Sequence, residues 1–393
     1  MIYLDHAATT GMEAAAVSAM LPFLSENYGN PSAIYKCAAK SRAAVAKARA
    51  QAASVIGADP SEVYFTSGGT ESDNWAITAA FDAAGGHGHI VTTAVEHPAV
   101  LRTCEYLARE RGAEVTYLPV DRNGAVSPEA VVRAIRPDTV LVSVMTANNE
   151  VGTIEPVCEI AAAVRGRGVL FHTDAVQAFG HIPLSVRNTG IDLLSASGHK
   201  FGGPKGTGIL YIRKGVRIGS FLHGGAQERN RRAGTENVAG IVGLGAAAEI
   251  ARDHMEERAE YVRSLRDRFA GRILAEIPYC HLNSPEKGGL PGTISVTIDY
   301  VAAESLLIML DMREICASGG SACSSGSLNP SHVLLAMGRS PEEAKSTVRF
   351  TLGHDNTKEE TDAAAGALSA VVRQLRSMSP KYEQRVSEDH QNG

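Results

Sequence analysis

The chain has 393 residues, of which 44% are hydrophobic and 21% are charged, a composition typical of a globular protein with a buried core. Its formal net charge of −5 argues against nucleic acid as the main partner, because proteins that bind phosphate backbones usually carry a surplus of basic residues. The length suggests two domains, or one large domain with a smaller appendage.

The sequence shows no signal that would direct the chain to a membrane or out of the cell. No apolar run approaches the roughly 20 residues that a membrane span needs. The first residues, MIYLDHAATTG, lack the basic region and apolar stretch of a signal peptide. The six cysteines are scattered without a CxxC pair, and such thiols stay reduced inside cells. We therefore expect a cytoplasmic protein.

Short β-rich runs alternate with helix-like segments between residues 62 and 213. The runs are EVYFTS, HIVTTAV, EVTYLPV, TVLVSVMTA, VLFHTDA, DLLSAS and GTGILYIR. Most of them are continuously apolar, as expected for strands that helices cover on both faces. This pattern predicts an α/β domain with a largely parallel sheet. The last two runs are separated only by GHKFGGPK, too short for a helical crossover, so we expect that pair to be antiparallel or non-adjacent.

The remainder of the chain predicts a second, smaller unit. Residues 237–277 are rich in Ala, Glu and Arg at helical spacing and predict one long connecting helix. The unit that follows contains two strand candidates, GTISVTI and TVRFTLG, and a final helix near residues 358–376. The polar tail SMSPKYEQRVSEDHQNG predicts disorder.

Several strand ends carry residues that suit a phosphate-bearing ligand, since ligands of parallel α/β sheets gather at the carboxyl ends of the strands. GGTESDN follows the first strand, and Gly69 and Thr70 could open a helix whose N-terminus binds phosphate, although ordinary helix capping explains the pattern equally well. His97 and Asn149 follow two further strands. Taken singly, each is explained as well by a structural histidine or a turn asparagine.

Two later segments add groups with chemical function. Asp174 and Gln177 follow VLFHT, and a carboxylate at a buried strand end needs a cationic or hydrogen-bonded partner. Ser197, His199 and Lys200 lie close together in SASGHKFGG, and the lysine could bind a phosphate or form a covalent bond. A phosphate cradle, a strand-end aspartate, a histidine and a reactive lysine together suggest pyridoxal phosphate, which needs a Schiff-base lysine and an acidic partner for its pyridinium nitrogen.

Cys323 lies in a loop, ASGGSACSSGSLNPSH, that has almost no apolar residues. A core cysteine would lie in a hydrophobic run, and a structural disulfide would need a partner and an oxidising compartment. Glycine and serine instead give the backbone conformational freedom. Neither a core position nor a structural disulfide therefore explains a lone thiol in so flexible and polar a segment.

The chain resembles the cysteine desulfurases, class V aminotransferase-like enzymes of fold type I, and among them the nitrogen-fixation and iron–sulfur-cluster type. The matching stretches, in order, are YLDHAATT, YGNPSA, TSGGTESDNWAI, VEHPAV, NNEVGT, HTDAVQAFG, SGHKFGGPKGTG, RRAGTEN, SGGSACSSGSLNPSHVL and VRFTLG. The resemblance implies a mostly parallel seven-stranded sheet flanked by helices, plus a smaller α+β C-terminal domain. It implies an N-terminal arm (1–13) that packs on the small domain, a large domain (14–255), a small domain (256–377) with the cysteine loop at about 317–332, and a disordered tail (378–393).

The resemblance also implies a role for each matching residue. Lys200 corresponds to the Schiff-base lysine, Asp174 to the pyridinium partner and His97 to the histidine that stacks on the cofactor and handles protons. Cys323 corresponds to the nucleophile that takes up sulfur, and Arg349 to the arginine that binds the substrate carboxylate. The other matching positions contact pyridoxal phosphate: Gly69, Thr70, Ser197 and His199 at its phosphate, Asn149 (also near the substrate) and Gln177 at its phenolic oxygen, and Thr235 at the phosphate of the neighbouring subunit in a homodimer.

The implied reaction converts L-cysteine to L-alanine and leaves a persulfide on Cys323 for a sulfur acceptor or an iron–sulfur scaffold protein. Cys323 could then also serve as a transient cluster ligand with the scaffold; the sequence contains no separate metal motif. The open alternatives are a selenocysteine lyase, another pyridoxal enzyme of the same fold and a non-catalytic scaffold. Two positions depart from the family pattern: Tyr35, near which histidine is common, and Asn329, where glutamate is frequent.

Overall fold

The structure is a computed structural model that describes residues 1–319 and 329–392. Its strands in chain order are β1 (Ile2–Tyr3), β2 (Val63–Thr66), β3 (His89–Thr93), β4 (Glu114–Leu118), β5 (Thr139–Ser143), β6 (Leu170–Asp174), β7 (Leu193–Ser197), β8 (Gly208–Ile212), β9 (Cys280–Leu282), β10 (Thr293–Ile298), β11 (Ile315–Cys316), β12 (Ser318–Gly319) and β13 (Thr347–Thr351). Its helices are α1 (Ala14–Ser25), α2 (Lys36–Val55), α3 (Gly69–Ala83), α4 (Pro98–Arg111), α5 (Pro128–Ala134), α6 (Val157–Val164), α7 (Gln227–Asn230), α8 (Val238–Asp253), α9 (Met255–Glu276), α10 (Ala303–Asp311), α11 (His332–Ala336), α12 (Pro341–Lys345), α13 (Lys358–Arg376) and α14 (Pro380–Asn392).

A seven-stranded sheet forms the centre of the larger unit. Its strand order is β2-β8-β7-β6-β5-β3-β4. All neighbours are parallel except β8, which runs antiparallel to both β2 and β7. The β7–β8 pair confirms the expectation for two strands joined by a short connection. Every residue of β2, β3, β7 and β8 is buried, as expected for strands that helices cover on both faces.

Helices cover both faces of this sheet and form two cores. On one face α2 packs against α8 through small residues: a Cβ added at Gly245 would lie 2.5 Å from the Cα of Ala48, so the close approach of the two helices requires glycine there. On the other face α3 and α4 bury Trp75, Phe81 and Leu107 against the strands. The observed α/β architecture is the one that the sequence predicts.

A smaller α+β unit follows. Its four-stranded sheet has the order β12-β13-β10-β9 and is antiparallel throughout. Helices α9 and α13 pack on it, and Phe269 of α9 meets Phe350 of β13 edge to face at 5.2 Å. The N-terminal residues join this unit, because β1 pairs with β11 and Leu4 lies in the same core. The exact domain limits at residues 13, 255 and 377 stay predictions.

Two sequence-based expectations differ from the structure. The single helix expected over residues 237–277 is divided at His254 (φ −112°, ψ 10°), because α8 packs on the core of the large unit whereas α9 packs on that of the small unit. The tail expected to be disordered over residues 378–393 contains α14. The ring of Tyr382 in α14 contacts the rings of Tyr279 and Tyr300, with centroids 6.1 and 5.8 Å away, which gives this polar helix an apolar anchor.

Within the described part of the chain, no helix is both long enough and apolar enough to cross a membrane. The segment that departs from the family pattern lies on the surface: Ile34 is fully exposed, and Tyr35 precedes the first residue of α2. Asn329 is also exposed.

Candidate functional site

The carboxyl ends of the parallel strands bring most of the predicted site residues to one edge of the large sheet. Asp174 ends β6, Ser197 ends β7, and His97 lies four residues beyond β3. Lys200 ends a short 3₁₀ turn, Gly198–Lys200, that follows β7 directly. This is the edge at which α/β sheets bind ligands.

The N-terminal arm holds the Lys200 side chain. Lys200 Nζ donates hydrogen bonds to the carbonyl oxygens of Ala7 at 2.6 Å and Ala8 at 2.9 Å. Gln177 Nε2 donates to the same Ala7 carbonyl at 3.0 Å. Ala7 N in turn donates to Thr351 Oγ1 of the small unit at 2.8 Å, so the arm links the lysine to both units.

Asp174 is a buried carboxylate with two nearby basic residues. Its side chain is 4% exposed, and its Oδ1 accepts a hydrogen bond from Val176 N at 2.8 Å. Burial raises the pKa of Asp174, and this rise is opposed by His97, the Val176 N–H and Lys200. The carboxyl group can therefore partner a cation placed beside it.

His97 caps α4 and is oriented by that helix. Its Nδ1 accepts a hydrogen bond from Ala99 N at 3.1 Å. Because Nδ1 is the acceptor, the hydrogen bond assigns the proton of the neutral ring to Nε2. The neighbouring carbonyl of Glu96 is paired with His332 Nε2 at 3.0 Å, which ties the turn before α4 to α11.

The start of α3 has the properties of a phosphate site. Gly68 precedes it with φ of 155° and offers no side chain to cap the first amides. A Cβ at Gly69 would lie 2.7 Å from Val176 Cγ2, so only glycine leaves the backbone this close to the Asp174 segment. His199 is two residues after Ser197 in the chain. Its Nδ1 is 3.2 Å from Thr9 Oγ1. Burial and the adjacent lysines lower the pKa of His199 to about 4, so it is neutral at pH 7.

Arg349 approaches from the small unit. It lies on β13 with 2% of its surface exposed. Its Nη1 donates to the Asn149 carbonyl at 2.7 Å, and its Nη2 lies 2.8 Å from Asp5 Oδ1. A cavity of about 260 Å³ extends between the two units beside Lys200 and Gln177, and its wall also contains His6, Arg258 and His354.

Two further residues were predicted for the site, Thr235 and Cys323. Thr235 is exposed in the segment between α7 and α8, on the surface of this single chain. Cys323, the predicted nucleophile, lies in residues 320–328, outside the described residues.

The sequence reasoning missed several residues that the structure brings to the site. Asp5, Ala7, Ala8 and Thr9 all contact predicted site residues, and the motif YLDHAATT was the available signal for them. Asp73 is the fifth: its side chain lies close to both His97 and Asp174. It is in the matching stretch TESDN, but nothing in the sequence shows that it turns inward.

The chain is similar to known proteins over nearly its whole length. Residues 2–364 match the family model described as "Aminotransferase class-V". The chain is 52% identical over 380 residues to the cysteine desulfurase IscS of Methanosarcina thermophila, covering 96% of this chain and 94% of that protein. It is similar to the solved structure of a NifS-like protein (38% identity, TM-score 0.89, 95% of this chain and 99% of that one) and to SspA solved in complex with cysteine (36%, TM-score 0.80, 91% and 100%). The chain therefore belongs to the class V aminotransferase family, within its group of cysteine desulfurases.

Proposed function

We propose that this protein is a cysteine desulfurase that uses pyridoxal phosphate to convert L-cysteine to L-alanine and passes the sulfur through Cys323 to an acceptor protein. One observation carries the proposal: Lys200, His97 and Asp174 share a sheet edge, and Arg349 is joined to that edge through Asn149 and Asp5. The 52% identity to a curated cysteine desulfurase supports it.

The residues present fit pyridoxal phosphate. The uncapped start of α3, with glycine where a side chain would clash, suits a phosphate group. Asp174 suits the pyridinium nitrogen, His97 the ring face and Lys200 the aldehyde carbon. Asn149 and Gln177 are assigned to the phenolic oxygen, and Ser197 and His199 to the phosphate. When bound, the cofactor supplies a sink for the electrons released at the substrate Cα.

Arg349 is assigned to binding the carboxylate of cysteine. Its guanidinium group has five N–H donors, and Asn149 and Asp5 each accept from one nitrogen, which fixes the plane of the group. Its Nε has no hydrogen-bond partner among the described residues. A planar, fixed guanidinium with spare donors is suited to a carboxylate.

Lys200 is assigned to moving the proton of the substrate Cα. The carbonyls of Ala7 and Ala8 hold its Nζ, so the amine has a defined position from which it can accept or deliver a proton. His97 Nε2 is a second group for proton handling, since its Nδ1 is engaged by Ala99 N.

Cys323 is assigned to the sulfur transfer on the strength of its sequence motif. Its thiolate attacks the sulfur of cysteine, so that an S–S bond forms and the Cβ–S bond breaks. The electron pair of the broken bond remains with carbon, which takes up a proton and becomes the methyl group of alanine. Protein thiol and cysteine thus give protein persulfide and alanine, with no other reactant consumed.

Three further assignments accompany this function. Thr235 is proposed to reach the cofactor phosphate of a second copy in a homodimer, which its exposed position permits.

The sulfur acceptor is proposed to be a protein of iron–sulfur cluster assembly or of thiolation. With a scaffold protein of that kind, Cys323 is proposed to act as a transient cluster ligand. The proposed location is the cytoplasm, in keeping with the five described cysteines, all of which are free.

A turnover assay tests the function. The purified protein with added pyridoxal phosphate, a thiol reductant and L-cysteine should release alanine and sulfide in equal amounts. L-Selenocysteine serves as the competing substrate, and kcat/KM should be higher for cysteine. Higher kcat/KM for selenocysteine would support the lyase alternative, and absence of alanine with either substrate would refute the proposal.

A further inference from the structure

A buried carboxyl group that the reaction described above does not use lies beside Asp174. Asp73, on α3, is 1% exposed, and its Oδ1 has no hydrogen-bond partner among the described residues. Side-chain polar atoms of Asp73, His97 and Asp174 all lie within 4.8 Å of one another. Two carboxyl groups therefore occupy one small, dry region.

A histidine that lies close to Asp73 carries no charge. His172 Nε2 is 3.6 Å from Asp73 Oδ1, and neither side chain is more than 1% exposed. His172 Nδ1 and Nε2 already lie at hydrogen-bond distance from Ser143 Oγ (2.8 Å) and Ser195 Oγ (3.0 Å). Burial lowers the pKa of His172 to about 3, so the ring is neutral at pH 7 and gives Asp73 no counter-charge.

The two carboxyl groups differ in what they face. Asp174 accepts a backbone hydrogen bond from Val176 and has His97 and Lys200 nearby. Asp73 shares His97 as a neighbour, but it also faces two carboxyl groups, those of Asp174 and Glu96, and the hydroxyl of Ser195, and Lys200 does not act on it. Burial raises the pKa of Asp73 well above its ordinary value, and the charge of Asp174 raises it further.

Two adjacent buried carboxyl groups do not both ionise at neutral pH, because their mutual repulsion in a dry region is large. Burial raises the pKa of both carboxyl groups, but His97, Lys200 and the Val176 N–H favour the negative charge on Asp174 over that on Asp73. The single proton of the pair therefore resides on Asp73.

We propose that Asp73 is a positioning residue for Asp174: it remains a neutral carboxylic acid, so that Asp174 alone presents a negative charge to the cofactor. This inference rests on the proposed function for the identity of the cofactor. If Asp73 were ionised instead, Asp174 would be driven to take up the proton, and its role beside a pyridinium nitrogen would be lost.

Infrared spectroscopy of protein with ¹³C-labelled aspartate carboxyl groups tests the protonation state directly, in both the apo and the cofactor-bound protein at pH 7. The spectrum of Asp73→Asn should lack one protonated carboxyl band that the wild-type spectrum contains. Asp82→Asn is the matched control, since Asp82 lies on the same helix with its side chain 47% exposed and paired with Arg111. That control should lose an ionised band. Loss of an ionised band in Asp73→Asn would overturn the proposal.

The affinity for pyridoxal phosphate gives a second readout. Asparagine is neutral like the protonated acid, so Asp73→Asn should change the dissociation constant by less than about threefold, whereas Asp174→Asn should weaken binding by more than about tenfold. A loss of tenfold or more in Asp73→Asn would show that the charge of Asp73 is used and would overturn the proposal. Wild-type protein that binds no pyridoxal phosphate would refute the proposed function, while the infrared result on the apo protein would still decide the state of Asp73.

Discussion

Burial decides the charge of several titratable residues around the site. His172 and His199 are neutral because burial lowers their pKa to about 3 and about 4. Burial raises the pKa of Glu150 to about 7 and that of Glu155 to about 8. Glu150 follows Asn149 directly, and its Oε2 accepts a hydrogen bond from Ser331 Oγ at 2.5 Å. Buried groups that titrate near neutral pH therefore occur beside the site, at Glu150, and elsewhere in the large unit, at Glu155.

Glu150 should make stability depend on pH. The folded protein keeps its proton up to about pH 7, whereas an unfolded chain releases it near pH 4.5, so wild type loses stability as the pH rises through this interval. Glu150→Gln removes that dependence. Relative to wild type, the variant should gain up to about 3 kcal/mol of unfolding free energy between pH 5 and pH 8, measured by urea denaturation.

The exposed Glu159, on α6, provides the control. Glu159→Gln should change the free energy of unfolding by the same amount at pH 5 and at pH 8. If Glu150→Gln and wild type differ in free energy of unfolding by the same amount at pH 5 and pH 8, Glu150 does not keep a proton in the folded protein.

Substitution of Lys200 should separate binding from chemistry. Lys200→Ala removes the amine that Ala7 and Ala8 hold, so alanine formation should fall by about 10²–10⁴-fold or more, and the visible absorbance of the lysine-linked cofactor should disappear. The matched control is Lys205→Ala, which replaces an exposed lysine five residues further along the chain. An unchanged spectrum in Lys200→Ala would refute the assignment.

Arg349 should act mainly on substrate affinity. Loss of its charge-assisted hydrogen bonds should raise KM for cysteine by about 10–100-fold in Arg349→Ala, with a smaller effect on kcat. Because Arg349 is buried and joins Asp5 to Asn149, thermal unfolding of the same variant must be recorded, and Arg349→Lys provides a charged variant of milder structural effect. A KM equal to that of wild type in folded Arg349→Ala would exclude the carboxylate role.

Residues that follow a strand could be identified from the sequence, whereas residues that meet only through the fold could not. Asp174 and Ser197 stand at the ends of β-rich runs and Lys200 follows three residues after one, so their common edge follows from strand polarity. Asp5 meets Arg349 across 344 positions of the chain. The inward direction of Asp73 depends on which face of α3 packs on the sheet, and the sequence of α3 has apolar residues on more than one face.

At the scale of elements, the segment around α7 is held in an unusual conformation. Glu228, Arg229 and Asn230 all have left-handed backbone angles, with φ of 46°, 58° and 62°. Such angles are costly for residues other than glycine and persist only when the surroundings hold them. The buried Glu228 stabilises this conformation. Its carboxylate accepts two hydrogen bonds from Arg49, at 2.6 and 2.7 Å, and a third from Phe65 N at 3.0 Å.

Breaking this anchor should destabilise the protein. Glu228→Gln leaves Arg49 without its ionic partner in a largely buried position, and we expect a loss of about 3 kcal/mol in the free energy of unfolding, measured with denaturant. Glu105→Gln removes the exposed Arg102–Glu105 ion pair and should cost less than about 1 kcal/mol. Equal effects of the two substitutions would mean that Glu228 does not anchor the segment.

The elements themselves were largely predictable where the pattern is local. Apolar runs predicted the strands of the large sheet, and helical spacing predicted α13 over residues 358–376. The break at His254 was missed, because both helices have helical spacing and the change of direction depends on two separate cores. Helix α14 was missed because its sequence is polar, and its anchor, Tyr382, meets residues far along the chain.

At the scale of the whole molecule, the site depends on three parts of the chain meeting. The large unit contributes Lys200, His97 and Asp174, the small unit contributes Arg349, and the N-terminal arm contacts both. The resemblance to cysteine desulfurases predicts that these parts meet, and the roles of the individual residues stay predictions. The central claim that remains for experiment is the transfer of sulfur from this site to Cys323.

Mass spectrometry of the purified, cofactor-loaded protein after addition of L-cysteine, with alanine measured in the same samples, tests that claim most directly. We predict a mass gain of one sulfur atom, mapped to the peptide that contains Cys323, and one alanine for each sulfur gained. Cys323→Ser should abolish the gain, whereas Cys158→Ser, which removes an exposed cysteine elsewhere, should retain it. Alanine formed with no sulfur on Cys323, or sulfur found on another cysteine, would contradict the account.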